Sequence, residues 1–150
     1  MLLASSSEVD VVLKSLCNIK NTVKSHRNIN DYKETILAEL PDLVNEACSV
    51  PRFGLELTPW SNWNGESNPL WWSSYNDVKH QRDIHFDKAN LKNTLNSMAA
   101  LNIVILYYYR ELLAQAGEDY QFKDVTKKFQ PESSLIKFSD SYYYSLLIAG

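Results

Sequence analysis

The sequence predicts an all-α helical bundle, and three observations carry that reading. Apolar residues recur at steps of three and four over two long stretches, residues 7–24 and 87–116. Only four glycines and five prolines occur in 150 residues, and none falls inside those stretches. Four Trp, nine Tyr and five Phe supply enough large apolar surface for one core. The expectation is therefore a single domain over residues 1–150, and the apolar ending SYYYSLLIAG also suits a piece of a slightly longer chain.

In the first stretch Val9, Val12, Leu13, Leu16 and Val23 form one stripe, with Cys17 at its edge, so a helix is expected over 7–24 with a cap among Ser5 to Ser7. HRNIN breaks the pattern. Asp31 followed by Glu34 reads as a capping box opening a second helix, DYKETILAEL, that stops near Pro41, and DLVNEAC reads as a short helical turn. Residues 49–69 carry Pro51, Pro59, Pro69 and two glycines, and no helical or strand period survives there. A long ordered Pro/Trp-rich loop is expected, pinned by Phe53, Leu55, Leu57, Trp60 and Trp63.

Asn68 as cap and Pro69 as first helical residue are expected to start the next helix, which buries Leu70, Trp71, Tyr75 and Val78. Its other side carries Asn76, Lys79, His80 and Asp83. After a joint near HFD comes the longest helix, 87–116, with Leu91, Leu95, Met98, Ala99, Leu101, Asn102, Ile105, Leu106, Tyr109, Leu112 and Leu113 on its apolar face and Gly117 at its end. A segment so apolar in its middle belongs at the centre of a bundle. QFKDVTKKF then reads either as an amphipathic segment or as one hairpin arm, and LIKF is too short to decide.

A formal charge of −3 gives the whole molecule no attraction for a phosphate backbone, which speaks against a general DNA-binding protein and leaves room only for a local RNA site. Cys17 and Cys48 are too few for a disulfide framework and lack histidines at zinc spacing, so no metal and a reducing, cytoplasmic compartment are expected. MLLASSSEVD has no basic leader region, and Asn102 interrupts the longest apolar run, so no membrane contact is expected. With no glycine-rich phosphate loop, nucleophile elbow, CxxC pair or HExxH, no cofactor is expected either.

The polar block YNDVKHQRDIH, residues 75–85, is the one local concentration of chemistry. Asn76 and His80 are one helical turn apart, and Arg82 and His85 are neighbours if the helix continues. Histidine as general acid or base, with Lys79 or Arg82 holding a phosphate, is the minimal equipment of a metal-independent ribonuclease. Each residue also has a plain structural reading. Asn76 can tie down the Trp-rich loop, His80 can be a half-buried donor at a helix crossing, and Lys79 and Arg82 can be a solvated face paired with Asp77 and Asp83. His85 can simply precede a kink at Phe86. Trp60 and Trp63 can stack on bases or pack loop against bundle.

WWSSYNDVKHQRD opening onto LNSMAALNIVILYYY, in an all-helical chain, resembles the HEPN-like helical domains of bacterial toxin and phage-defence proteins. The resemblance covers residues 7–116. It implies a HEPN-like helical bundle that forms a homodimer, and in many members RNA cleavage by an arginine standing shortly before a histidine, with two copies meeting in one cleft. His80 matches that histidine best, while Asn76 stands where the arginine would be. For His85 the cation at that spacing is Lys79, because Arg82 is too close. Two readings follow. One is a dimerising interaction or scaffold domain in an RNA-related stress or defence system, with Trp60, Trp63 and the Tyr107–Tyr109 or Tyr142–Tyr144 surface supplying protein contacts. The other is a metal-independent endoribonuclease with His80, Lys79 and Arg82 as catalytic residues and Asn76 and His85 beside them.

Overall fold

The computed structural model describes residues 1–117, 119–129 and 132–143. It is a predominantly helical bundle in the order α1 (Leu2–Lys20), α2 (Ile29–Glu39), β1 (Cys48–Val50), β2 (Leu55–Leu57), α3 (Leu70–His80), α4 (Arg82–His85), α5 (Leu91–Gln115) and α6 (Phe122–Lys128), with short 3-10 turns between. The bundle prediction holds at that level. Among the described residues no helix is long and apolar enough to cross a membrane.

α1 and α5 form the most extensive helix pair. Val9, Leu13, Leu16 and Cys17 of α1 and Ala99, Ala100, Ile103, Val104 and Tyr107 of α5 are buried in one core. The α1 stripe lies where the spacing placed it, but the helix starts earlier: Ser5 and Ser6 are buried inside it rather than capping it. The Ser5 and Ser97 hydroxyls meet at 2.6 Å, so a polar contact ties α1 to α5 where the backbones pass closely. The far end stops at Lys20, because the Asn21 side-chain oxygen accepts from the amides of Val23 (3.2 Å) and Lys24 (3.0 Å) and curls the chain out of the helix. Val23, expected on the stripe, is therefore fully exposed.

α2 begins one turn before the predicted capping box. Asn28 is the cap, accepting from Asn30 (2.9 Å) and Asp31 (3.2 Å), and the Asp31 carboxylate reaches back to the Arg27 amide at 2.8 Å. Both of these anchors draw on the HRNIN stretch that breaks the period.

In α5 the buried side is turned from the predicted one. Ile103, Val104 and Tyr107 are buried, Leu101 and Ile105 are half-buried, and Leu91, Tyr109 and Leu112 are exposed. Ala99 and Ala100 are fully buried on that side, where the Ala100 carbonyl accepts from the Trp60 indole at 3.4 Å. Gly117 ends the helix in the left-handed region (φ 87°), as its position predicted.

The segment expected to have no regular structure contains a hairpin. β1 and β2 pair antiparallel with Cys48 opposite Leu57 and Val50 opposite Leu55, and Gly54 at φ 60° makes the turn that Pro51 begins. Past the hairpin the loop packs on its tryptophans, as expected, whereas Phe53 and Leu55, expected to pin it too, are exposed. Trp60 lies 4.5 Å from Trp63 and 5.2 Å from Trp71, the second pair edge to face. Every indole N–H of that trio has an acceptor: Trp60 donates to Ala100 O (3.4 Å), Trp63 to Asn68 Oδ1 (3.0 Å) and Trp71 to Pro59 O (2.9 Å). Asn68 thus serves Trp63 instead of capping α3, Pro69 is itself the cap residue, and Leu70 is exposed rather than buried. QFKDVTKKF resolves as the helix α6, and LIKF as an extended stretch bridged to β1 through Lys137 and Ser49.

Candidate functional site: the connector between α3 and α5

α3 stops at His80 because Gln81 leaves helical geometry (φ −141°, ψ 60°). One turn of helix, α4, and a 3-10 turn over Phe86–Lys88 then carry the chain to Asn90, whose side chain caps α5 by accepting from Asn93 at 3.0 Å. The break places the polar block at a chain reversal rather than along one continuous helix. Arg82 and His85 are the first and last residues of α4, one turn apart, and the helical register linking Asn76 to His80 ends before Arg82.

His80, Lys79 and Arg82 are all exposed. His80 therefore is not the half-buried donor at a helix crossing that one reading anticipated. Neither His80 nor Arg82 makes a hydrogen bond or ion pair among the described residues, and Lys79 lies 5.5 Å from the Tyr75 ring. Asn76 is half-buried and makes no hydrogen bond to the Trp-rich loop, and His85 is half-buried beside the α4 end. Asp77 pairs with Lys88 at 2.6 Å, and that hydrogen bond holds its carboxyl below the usual range. Asp83 and Asp87 are exposed, and their carboxylates have no partner among the described residues.

The same connector exposes large apolar side chains. Ile84 is 65%, Phe86 72% and Leu91 68% accessible. Leu91, expected on the buried face of the long helix, is exposed instead, and an isoleucine and a phenylalanine inside a charged stretch are the sequence signal for the other two. The backbone beneath is fixed, with Asn93 Nδ2 donating to Lys88 O (2.8 Å) and to Ser74 Oγ (3.0 Å).

Trp60 and Trp63 are 0% and 1% exposed, which corrects their expected role in binding: neither can stack on a base or touch a partner in this fold. Of the tyrosines expected at an interface, Tyr107 is buried and donates to Glu46 at 2.8 Å, and Tyr142 donates to the same oxygen at 2.7 Å. Burial and the Glu46 carboxylate push both phenols well above their ordinary range. Tyr108 is half-buried, Tyr109 is exposed and packs on Phe129, and Tyr144 lies outside the described residues. The two thiols are buried and unpaired, with burial pushing both up to about 12. Among the described residues no group of histidine, cysteine or carboxylate side chains is disposed to hold a metal ion.

No family model, curated protein or solved structure matches this chain. The connector's own chemistry must therefore carry the functional argument.

Proposed function

We propose that this chain is a HEPN-like interaction domain that self-associates through the connector between α3 and α5. The observation that carries the reading is the exposure of Ile84, Phe86 and Leu91 within a rim of Lys79, Arg82, Asp83 and Asp87. Two cations and two carboxylates, none in an ion pair among the described residues, make that rim neutral, so it neither favours a phosphate backbone nor repels its own kind. Away from the axis of a two-fold interface, residue i of one copy faces residue j of the other and the reverse, so such a mixed rim can pair Lys79 and Arg82 with Asp83 and Asp87 of the second copy. A setting in RNA-related stress or defence rests on the resemblance of residues 7–116 to HEPN-like domains.

A charge swap tests the pairing. Lys79→Glu/Arg82→Glu and Asp83→Lys/Asp87→Lys should each be monomeric alone, and an equimolar mixture should form a heterodimer on size exclusion. A mixture that stays monomeric while wild type dimerises would exclude this rim.

The ribonuclease reading draws on the solvent-facing His80, Arg82 and Lys79. Its weakness is that among the described residues no group hydrogen-bonds either ring nitrogen of His80 to fix its tautomer or orientation. Cleavage of single-stranded RNA in a chelator, lost in His80→Ala, would favour it over a purely scaffolding role.

A further inference from the structure

The hairpin carries a second surface, and its two edges differ. On the β1 side, Ser49 N–H donates to Lys137 O (2.8 Å) and Ser49 O accepts from Lys137 N–H (2.9 Å). Successive residues of an antiparallel strand turn their backbone groups to opposite edges, so Cys48 and Val50 face β2 and bond Leu57 and Leu55. Glu56, opposite Ser49, consequently points its own N–H and C=O away from β1. Neither group takes a hydrogen bond among the described residues. The outer side of β2 is an open edge.

Its two faces have different chemistry. Leu55 and Leu57 share the face on which Cys48 and Val50 are buried, and Leu55 is 44% exposed because no strand lies beyond it. Glu56 lies on the other face, where it lines a recess of about 440 Å³ with Glu46, Ser139 and Asp140. The Glu56 and Asp140 carboxylates have no partner among the described residues.

We propose that β2 is a docking edge for an extended partner segment of apolar–basic–apolar pattern. The occupied edge of the same sheet supplies the template. There Ile136 is buried, Phe138 is half-buried, and Lys137 between them stands opposite Ser49. The same pattern added to β2 sets its cation opposite Glu56, where unlike charges attract, and lays its apolar flanks against Leu55 and Leu57. A second copy of β2 does not fit, because antiparallel pairing centred on Glu56 opposes two carboxylates.

The test uses a fluorescein-labelled peptide, Ser-Leu-Ile-Lys-Phe-Ser, copied from residues 134–139, and anisotropy against the full chain. A three-residue edge forms few bonds, so saturable binding with Kd of about 0.1–1 mM is expected. The same peptide with glutamate in place of lysine should bind about fivefold more weakly, and Glu56→Lys should reverse that preference. Glu56→Pro removes the outward N–H without touching the bonds to β1, so it should abolish saturable binding while preserving the melting temperature. No saturable binding to wild type at about 5 mM peptide overturns the proposal. So does binding that neither Glu56→Lys nor Glu56→Pro alters, since the peptide would then occupy another site.

Discussion

Residues 51–69 and 81–91 are both connections rich in large side chains, yet Trp60 and Trp63 of the first are sealed into the core while Ile84 and Phe86 of the second stand in solvent. In the first, Trp60 and Trp63 are fully buried and each indole N–H meets an acceptor. In the second, Ile84 and Phe86 are more than half exposed above a backbone that Asn93 and the Asp77–Lys88 pair hold in place. Order is common to both, and the difference lies in what the side chains do once the backbone is fixed. The tryptophans spend their surface on the fold. The connector keeps its apolar surface available while remaining shaped, which suits a contact region better than a mobile loop would.

Substitutions in the two regions should separate these roles. Trp60→Ala, which removes a fully buried ring from a three-tryptophan cluster, should cost about 3–5 kcal/mol of stability in chemical denaturation. Ile103→Ala on the buried side of α5 should cost about 2–5 kcal/mol, and Leu101→Ala less, because Leu101 is only half-buried. Asn28→Ala removes the acceptor for two amides at the start of α2 and should cost about 0.5–2 kcal/mol. At the other extreme, Ile84→Ala and Phe86→Ala should alter the monomer's stability by no more than about 0.5 kcal/mol. A Phe86 change as costly as the Trp60 change would erase the distinction between the regions.

His26 offers a smaller, pH-dependent check on the core side. It is buried, with Nδ1 2.8 Å from Asn18 Oδ1 and Nε2 2.8 Å from Thr35 Oγ1. Burial first and the Lys24 charge second lower its pKa below the ordinary 6.5, while Asp31 opposes them. The unfolded chain therefore binds more protons than the folded one as pH falls below about 6.5. This contribution to stability is present above that pH and is lost as pH drops through the lower folded value. Denaturation midpoints from pH 7.5 down to 5 should show an acid loss that His26→Gln reduces.

The sequence made the helices legible where spacing decides them: the α1 stripe, the long α5 and its Gly117 stop; the break after α3 falls at Gln81, earlier than the joint expected near residues 85–87. It misled where a side chain's partner lies far along the chain. Asn68 looks like a cap until Trp63 claims it, and Ser5 looks like one until Ser97 is seen across the bundle. Tyr107 and Tyr142 look like interface residues, but Glu46, in a different part of the chain, accepts from both. The hairpin escaped notice because each strand is three residues long, too short for an alternating pattern to register. The polar block was legible as a cluster. Its apolar companions Ile84 and Phe86 were not, because periodicity says which residues share a helix face and is silent about side chains at a chain reversal.

Sedimentation equilibrium of wild type beside Ile84→Asp/Phe86→Asp, with thermal melting of the same samples at low concentration, tests the central claim most directly. The account predicts a wild-type dimer, a monomeric variant and monomer melting temperatures within a few degrees of one another. A wild type that stays at 17.3 kDa at high micromolar concentration, or a variant that dimerises equally well, would contradict it.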